Sequence, residues 1–343
     1  MGSTVSGLRV AVTGASGFVG RHLCRRIVGA GGQVVAVVRA GSPRAGLPEA
    51  AERVVEVDWD RGAGAAEAVA GVDVVIHLAA VLWARSWAEF ERGNVGVTRT
   101  LAQVVAQASA RTGAASPRLV VCSSLAAAGP EPGTGLLRCE EDEPAPVSWY
   151  GRSKLAAERA AAEVADRVAV VVVRPPIVYG AGDRAFVPSV ARMARTGLVL
   201  QPGRVRRQYA VLHVNDVCDA LVAAAVRGQS VVPGRRASGL YHLADERQFT
   251  MPEIVGVAAA ALGGRAPRVL PVPLPLVRAV AAAGELGLRP LGRVPLLSRD
   301  KAREAGLGWT ASARRAHAEL GFVPRVGFEA GLGGAVREWA AHR

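Results

Sequence analysis

Lysine is almost missing from this chain. Of the 42 lysines and arginines in 343 residues only Lys154 and Lys301 are lysine, which leaves 40 arginines beside 40 glycines. Such a bias is the mark of GC-rich, bacterial coding, in which arginine replaces lysine wherever only a positive charge is needed. A lysine that persists therefore marks a place where the two cations are not interchangeable. Cysteine is scarce as well: Cys24, Cys122, Cys139 and Cys218 show no C-x-x-C spacing and no paired histidines, so they read as reduced and structural, with no metal site. Long hydrophobic runs are also missing. No stretch of about 18 uncharged apolar residues could cross a membrane, and the chain reaches an apolar strand by Leu8 without the pattern of a signal peptide. Met1-Gly2-Ser3-Thr4-Val5-Ser6 fits the loose myristoylation pattern, a match that chance explains in a bacterial protein. The expectation is a cytoplasmic protein.

What is present narrows the class further. Half of the residues are hydrophobic, too many for a disordered chain, and the length suffices for one large α/β domain or two modest ones. The net charge is +13, which raises the question of nucleic acid or anionic membranes. The arginines are nevertheless scattered singly, the densest groups being Arg204, Arg206, Arg207 and Arg314, Arg315, so the charge reads as solvated surface and no nucleic-acid partner is expected.

Short valine-rich runs alternate with alanine-rich stretches: Leu8–Thr13, Gln33–Val38, Arg53–Val57, Asp73–Leu78, Arg118–Cys122 and Val168–Val173. Their near-continuous apolar character is that of strands covered on both faces of a parallel sheet. Arg21–Ala30, Trp87–Ala110 and Tyr150–Asp166 have the length and composition of crossover helices. Repeated βαβ units predict an α/β, Rossmann-type doubly wound sheet. Residues 1–175 are assigned to that dinucleotide-binding domain. Residues 176–343 are assigned mainly to a smaller substrate-binding domain, with some segments returning to the core. There Pro267, Pro271, Pro273, Pro275, Pro290 and Pro295 break the chain into short pieces. Pro275–Arg289 reads as an amphipathic helix with Arg278, Glu285 and Arg289 on its wet side; packing against the protein is favoured over a membrane surface, and peripheral membrane contact stays open.

Two motifs carry the chemistry. The first strand runs into Thr13-Gly14-Ala15-Ser16-Gly17-Phe18-Val19-Gly20, a G-x-x-G-x-x-G array. In so glycine-rich a chain it is expected about half a time by chance, and its place between strand and helix is what gives it weight. There Gly14 allows the tight turn, Gly17 the approach of phosphates and Gly20 the close lie of the helix. Arg39, at the end of the second strand, would meet a 2′-phosphate, so NADP(H) is favoured and NAD(H) is the alternative; Ser42 and Arg44 stand just beyond. Asp58 is placed to meet the adenine edge. The second motif is Tyr150-Gly151-Arg152-Ser153-Lys154. With four tyrosines and two lysines, a chance Y-x-x-x-K is expected only about 0.02 times. Helical spacing puts phenol and ammonium on one face, where the cation is expected to draw the phenol's pKa down toward the working pH. Ser123 and Ser124 end the fifth strand, where a hydroxyl can hold a reacting oxygen.

On these residues the chain resembles the extended short-chain dehydrogenases/reductases, the NAD-dependent epimerase/dehydratase superfamily. His77-Leu78-Ala79-Ala80, Asn94-Val95, Arg174-Pro175-Pro176-Ile177-Val178-Tyr179-Gly180, His213-Val214-Asn215-Asp216-Val217 and Leu320-Gly321-Phe322-Val323-Pro324 also match, so the likeness spans nearly the whole length. The resemblance implies Tyr150 as general acid/base, Lys154 as ribose ligand and Ser124 as donor to the substrate oxygen. It implies cofactor contacts from the glycine loop with Ser16, Phe18 and Val19, from Asp58 and Trp59, from Leu78, Ala79 and Ala80, and from Ser123, Pro175, Ile177 and Val178. It further implies a homodimer through the Trp87–Ala110 and Tyr150–Asp166 helices. Two positions depart from the pattern. Asn94-Val95-Gly96-Val97-Thr98 lacks the usual glycine before threonine. Tyr209 stands where the nucleotide-sugar branch commonly has arginine, with Arg207 two residues earlier.

Ser123 through Pro130 resembles the branch of 3β-hydroxysteroid dehydrogenases and dihydroflavonol-reductase-like enzymes. Val81, Leu82, Trp83, Trp87, Leu125, Tyr179 and Phe186 are then expected around a hydrophobic ketone or alcohol of lipid, sterol or polyketide type. The alternatives are a nucleotide-sugar epimerase or dehydratase with tightly held NAD, and a non-catalytic cofactor-binding scaffold.

Overall fold

Valine runs that no polar residue interrupts need cover on both faces, and the fold provides it. The computed structural model describes residues 5–42, 47, 51–112, 117–133, 135–288 and 299–342. Met1–Thr4, Arg44, Arg289, Pro290 and Pro295, on which some sequence expectations fall, lie outside them. Six strands come from the first half: β1 (Arg9–Thr13), β2 (Gln33–Arg39), β3 (Arg53–Val57), β4 (Val74–His77), β5 (Arg118–Cys122) and β6 (Val170–Arg174). With Leu240–His242 they make a seven-stranded sheet in the order Leu240–His242, β6, β5, β4, β1, β2, β3. All its pairings are parallel. The fold class is thus the doubly wound α/β arrangement that the sequence predicts.

β4 and β6 are buried at every position. β3 differs because it is an edge strand: Val54 and Glu56 point outward and alternate with Val55 and Val57. The chain crosses from that edge back to β4 beside β1, and this reversal leaves a crevice at the carboxyl ends of the strands where ligands bind in such sheets.

One face is covered by α1 (Phe18–Gly29) and α8 (Val214–Arg227), the other by α2 (Ala65–Val69), α4 (Val97–Thr112) and α6 (Trp149–Ala162). α3 (Trp87–Phe90) leads through a six-residue π-turn, Glu91–Gly96, into α4. The single helix predicted over Trp87–Ala110 therefore has a widened turn in it, of the kind often found near functional sites. α5 (Leu125–Ala128) is one short turn after β5. A third apolar cluster lies beyond residue 176. There α7 (Phe186–Thr196) packs with Met251–Ala261 and Phe328–Ala341 around Phe249 and Phe328, whose rings stack at 3.8 Å. The helix Leu274–Leu288 buries Ala281, but Leu276 and Val280 face solvent, so it is less packed than its pattern predicts. Among the described residues no helix is long and apolar enough to cross a membrane.

Candidate active site

After Thr13 the backbone turns through Gly14 at φ +69°. A Cβ there would stand 3.0 Å from the backbone nitrogen of Ala79, and one at Gly20 only 2.2 Å from the Gly14 carbonyl oxygen. Both positions therefore require glycine, one for its dihedral and both for close approach. α1 begins at Gly17 with no side-chain cap and no acidic residue in its first turn. Its positive end at the crevice is thus left for an external anion, and the residues present fit a dinucleotide pyrophosphate. Ser16, Phe18 and Val19 are half-buried around this end.

The other wall of the cleft is held by a proton-ordered chain. Thr13 Oγ1 accepts from the N–H groups of Leu78 (3.1 Å) and Ala79 (3.2 Å) and lies 2.7 Å from His77 Nδ1. His77 Nε2 lies 3.0 Å from Thr98 Oγ1, whose hydroxyl donates to the Asn94 carbonyl at 2.7 Å. Since the Thr98 proton is already committed, hydrogen-bond bookkeeping puts the ring proton on Nε2. Burial, then the Lys154 charge, pushes His77 down to about 3, so the ring is neutral. Leu78, Ala79 and Ala80 are thereby fixed opposite the glycine loop.

Arg39 is exposed at the end of β2. Asp58 closes its own turn instead of standing free: Oδ1 accepts from the N–H groups of Asp60 (3.1 Å) and Arg61 (3.2 Å). Trp59 packs against the apolar layer under α2 and α4.

Ser148 caps α6 by accepting from Gly151 N–H at 3.1 Å. The next contact explains the glycine of Tyr150-Gly151, because a Cβ there would come within 2.3 Å of the Ala126 carbonyl oxygen. α6 thus lies directly on the backbone of α5, and this brings Tyr150 beside Ser124 on the wall of one cavity. One helical turn on, Lys154 Nζ donates to the Cys122 carbonyl at 2.8 Å. Ser124, Tyr150 and Lys154 are together at the carboxyl end of β5. The electrostatic expectation is corrected: burial raises the Tyr150 phenol above its ordinary range, and the neighbouring Ser124 hydroxyl pulls it back only in part. The Phe90 ring, 6.4 Å away between centroids, is part of that enclosure.

A buried group beneath the site escaped the sequence reading. Ser123 donates to Glu158, so its hydroxyl is spent inside the protein. Glu158 also accepts from Arg174, Nε to Oε1 at 2.8 Å and Nη2 to Oε2 at 2.6 Å. His242, which burial and the Arg174 charge push down to about 3, lies with Nε2 3.3 Å from Arg174 Nη1. A charged residue four places after Lys154 on the same helix face was the available signal. Pro175 is buried, its carbonyl accepting from Leu125 N–H at 2.8 Å, and Val178 packs in the core.

Above Tyr150 lies a cavity of about 1010 Å³. Leu82, Trp83, Leu125 and Ile177 line it. Four expected substrate residues do not. Val81 is pinned by Asn94, whose Oδ1 accepts from its N–H at 2.7 Å; Asn94 also donates to Ser153 Oγ at 2.8 Å and so ties this loop to α6. Trp87 gives way to Phe90, which sits on the inner side of the π-turn segment. Tyr179 is 1% exposed, edge-on to His213 and Phe328, and Phe186 packs in the third core while its neighbour Ala185 faces the cavity. Both corrections have one cause: the segment after β6 is covered by helices from far along the chain. For the same reason Met193, Met251, Trp309, Lys301 and Glu304, which line the cavity, escaped the reading. Tyr209 and Arg207 reach it too, and Arg207 pairs with Glu131 at 3.4 Å.

Residues 10–238 match the NAD dependent epimerase/dehydratase family. The chain is 30% identical over 95% of both lengths to a 4-hydroxy-2-methyl-3-oxo-4-farnesyl-3,4-dihydroquinoline-1-oxide ketoreductase of Stigmatella aurantiaca. It is 28% identical to a 2-alkyl-3-oxoalkanoate reductase of Stenotrophomonas maltophilia, over 95% of this chain and 97% of that one. Among solved structures, MoeE5 in complex with UDP-glucuronic acid and NAD superposes with a TM-score of 0.73 at 28% identity, covering 98% of this chain and all of that one. The chain belongs to the NAD dependent epimerase/dehydratase family and is an oxidoreductase of the extended short-chain dehydrogenase/reductase type.

Proposed function

We propose that the protein transfers a hydride between NADP(H) and a ketone or secondary alcohol on a largely apolar substrate of lipid, sterol or polyketide kind. The observation that carries this reading is the meeting of Ser124 and Tyr150 on the wall of a largely apolar cavity, with Lys154 one helical turn further along α6. In the direction of reduction, Ser124 holds the carbonyl oxygen and Tyr150 gives it a proton as the oxygen becomes an alcohol. The raised phenol keeps that proton at neutral pH, so Tyr150 waits in the acid form. The dinucleotide, when bound, supplies or accepts the hydride. Lys154 would hold its ribose, and the α1 end with Gly14, Gly17 and Gly20 its pyrophosphate. Arg39 is the residue proposed for the 2′-phosphate. Residues 1–175 would bind the dinucleotide and residues 176–343 mainly shape the substrate side.

The test is consumption of NADPH against a panel of lipophilic ketones, with Tyr150→Phe as control. The variant should lose about 10²–10⁴-fold in turnover, the usual worth of a positioned acid, while its dinucleotide binding stays near that of the parent. Undiminished turnover contradicts the assignment. The second reading, a nucleotide-sugar epimerase, is favoured by the likeness to MoeE5. It requires purified protein to carry NAD, visible in its absorbance, and to convert a UDP-sugar without net use of cofactor. Arg207, already neutralised by Glu131, and Tyr209 supply little for a diphosphate.

A further inference from the structure

The lobe beyond residue 176 carries an apolar face at the edge of its fold. The strands Leu198–Pro202 and Arg268–Val272 pair in parallel, with Leu198 opposite Arg268 and Leu200 opposite Leu270. Side chains alternate along a strand and partners across a ladder share a side, so these four project from one face. Leu198, Leu200 and Leu270 are 38%, 63% and 47% exposed there, whereas Val199, which points the other way, is buried in the third core. The helix Leu274–Leu288 starts two residues beyond the second strand and adds Leu276 and Val280, one turn apart and both more than half exposed. Leu200 also lines the cavity above Tyr150, as do Leu82 and Trp83, which are themselves 57% and 49% exposed. Through Leu200 the apolar face runs into the mouth of the substrate site.

Charge singles out the same lobe. Residues 184–215 and 254–284, which contain both strands, hold nine arginines and no aspartate or glutamate. Arg195 lies over the Trp339 ring and Arg207 pairs with Glu131. Arg192, Arg204, Arg206, Arg265, Arg268 and Arg278 are exposed. Spread along the sequence, these cations read as solvated surface, but the fold joins the two acid-free segments in one ribbon. The opposite face of that ribbon differs: Val269 and Pro271 line a second cavity with Glu131 and Glu253, whose carboxylates meet Arg207 and Arg247. Exposed leucines set among arginines suit a surface that has hydrocarbon beneath phosphates. Leucine enters the acyl boundary, while guanidinium groups stay at the headgroups with their stems along the apolar layer.

We infer that this face docks on a bilayer bearing anionic lipid and turns the cavity mouth toward it, so that an apolar substrate passes from membrane to active site without crossing water. Docking stands independently of the hydride-transfer reading above; only the delivery of a ketone rests on it.

The test sediments the full-length protein with sucrose-loaded vesicles. Vesicles of phosphatidylcholine and phosphatidylglycerol should carry wild type down at about 0.1 M salt, and phosphatidylcholine alone should bind it far more weakly. Arg268→Glu changes two charges and should weaken binding about 30-fold, at about fivefold per charge. Leu270→Asp should weaken it about tenfold or more. Neither residue lines the cavity above Tyr150, so both variants should keep the wild-type kcat and KM for a small water-soluble ketone and lose turnover of a ketone embedded in vesicles. Absence of wild-type binding to the anionic vesicles, or equal binding by wild type and both variants, overturns the inference. A wild-type dimer that Leu270→Asp splits in sedimentation velocity, without vesicle binding, would assign the face to a second copy of the chain. Loss of binding in Arg268→Glu alone, matched by an equal loss on an oligonucleotide, would assign it to polyanions in general; either result also overturns the inference. Failure to reduce any ketone would instead count against hydride transfer and leave the vesicle result to be judged by itself. A circular-dichroism melt identifies misfolding, and Leu198→Gln, on the same face, replaces Leu270→Asp should that variant unfold.

Discussion

His77 and His242 are held neutral for reasons that have nothing to do with proton transfer to substrate. Each is almost wholly buried, and burial pushes each from its ordinary 6.5 down to about 3. His77 orders the strand ends around the glycine loop, and His242 meets the Arg174 guanidinium. The sign of the consequence follows from linkage. Below pH 6.5 the unfolded chain takes up protons that the folded chain refuses, so their contribution is intact above pH 6.5 and is lost as pH falls toward about 3. Each histidine costs about 1.4 kcal/mol per pH unit in that window. Between about pH 6.5 and pH 5 the pair should weaken the fold by about 4 kcal/mol, a drop of several degrees in Tm. Thermal melts across this range check it: His77→Gln should flatten the acid limb relative to wild type, and an unchanged slope would show that His77 is protonated in the folded state.

The catalytic geometry is set at the scale of elements, by how closely α6 can lie on α5. Gly151 decides that distance, since its Cβ would meet the Ala126 carbonyl oxygen at 2.3 Å. Gly151→Ala must push the helix outward by roughly an ångström to restore ordinary contact. Overpacking of this kind costs about 1–3 kcal/mol, and a displacement of that size at a reacting group can cost about 100-fold in rate. The expected result is a lower Tm with kcat reduced more than KM is raised; an alanine variant with wild-type kcat would show that the Ser124–Tyr150 distance does not depend on this contact. The strands and α6 were legible in the sequence because both follow from local patterns: uninterrupted valine for burial on two faces, and a helical i, i+4 spacing for Tyr150 and Lys154; the short α5 was not. The rise of the Tyr150 pKa was not legible, because it depends on enclosure by Phe90 and the rest of the fold and not on the spacing to Lys154. The Glu158–Arg174 pair was equally hidden, joining residues 16 apart across helix and strand. The cavity wall was read only as far as it is local. Leu82, Trp83 and Leu125 follow strand ends, whereas Trp309 and Lys301 arrive from the far end of the chain.

Across the whole molecule, the proposed dinucleotide site draws on several strands of the sheet's carboxyl edge. The glycine loop follows β1, Arg39 ends β2, Leu78–Ala80 follow β4, Ser124 follows β5, and Pro175 follows β6. A ligand that bridges these ends binds only the folded sheet, so its binding free energy adds to the stability of the whole. Saturation at about 100 times Kd contributes about 2.7 kcal/mol, and the increment grows with affinity. At equal concentrations NADPH should therefore raise Tm more than NADH, because only the former offers the phosphate that Arg39 can meet at its exposed position. Arg39→Asp should reverse the order: the carboxylate repels the 2′-phosphate and accepts hydrogen bonds from the free ribose hydroxyls of NADH. Thermal-shift titrations of both proteins with both cofactors decide it. Equal shifts by NADPH and NADH in the wild type would mean that the arginine at the end of β2 belongs to the same solvated background as the other exposed arginines of this chain, and that the cofactor is chosen elsewhere.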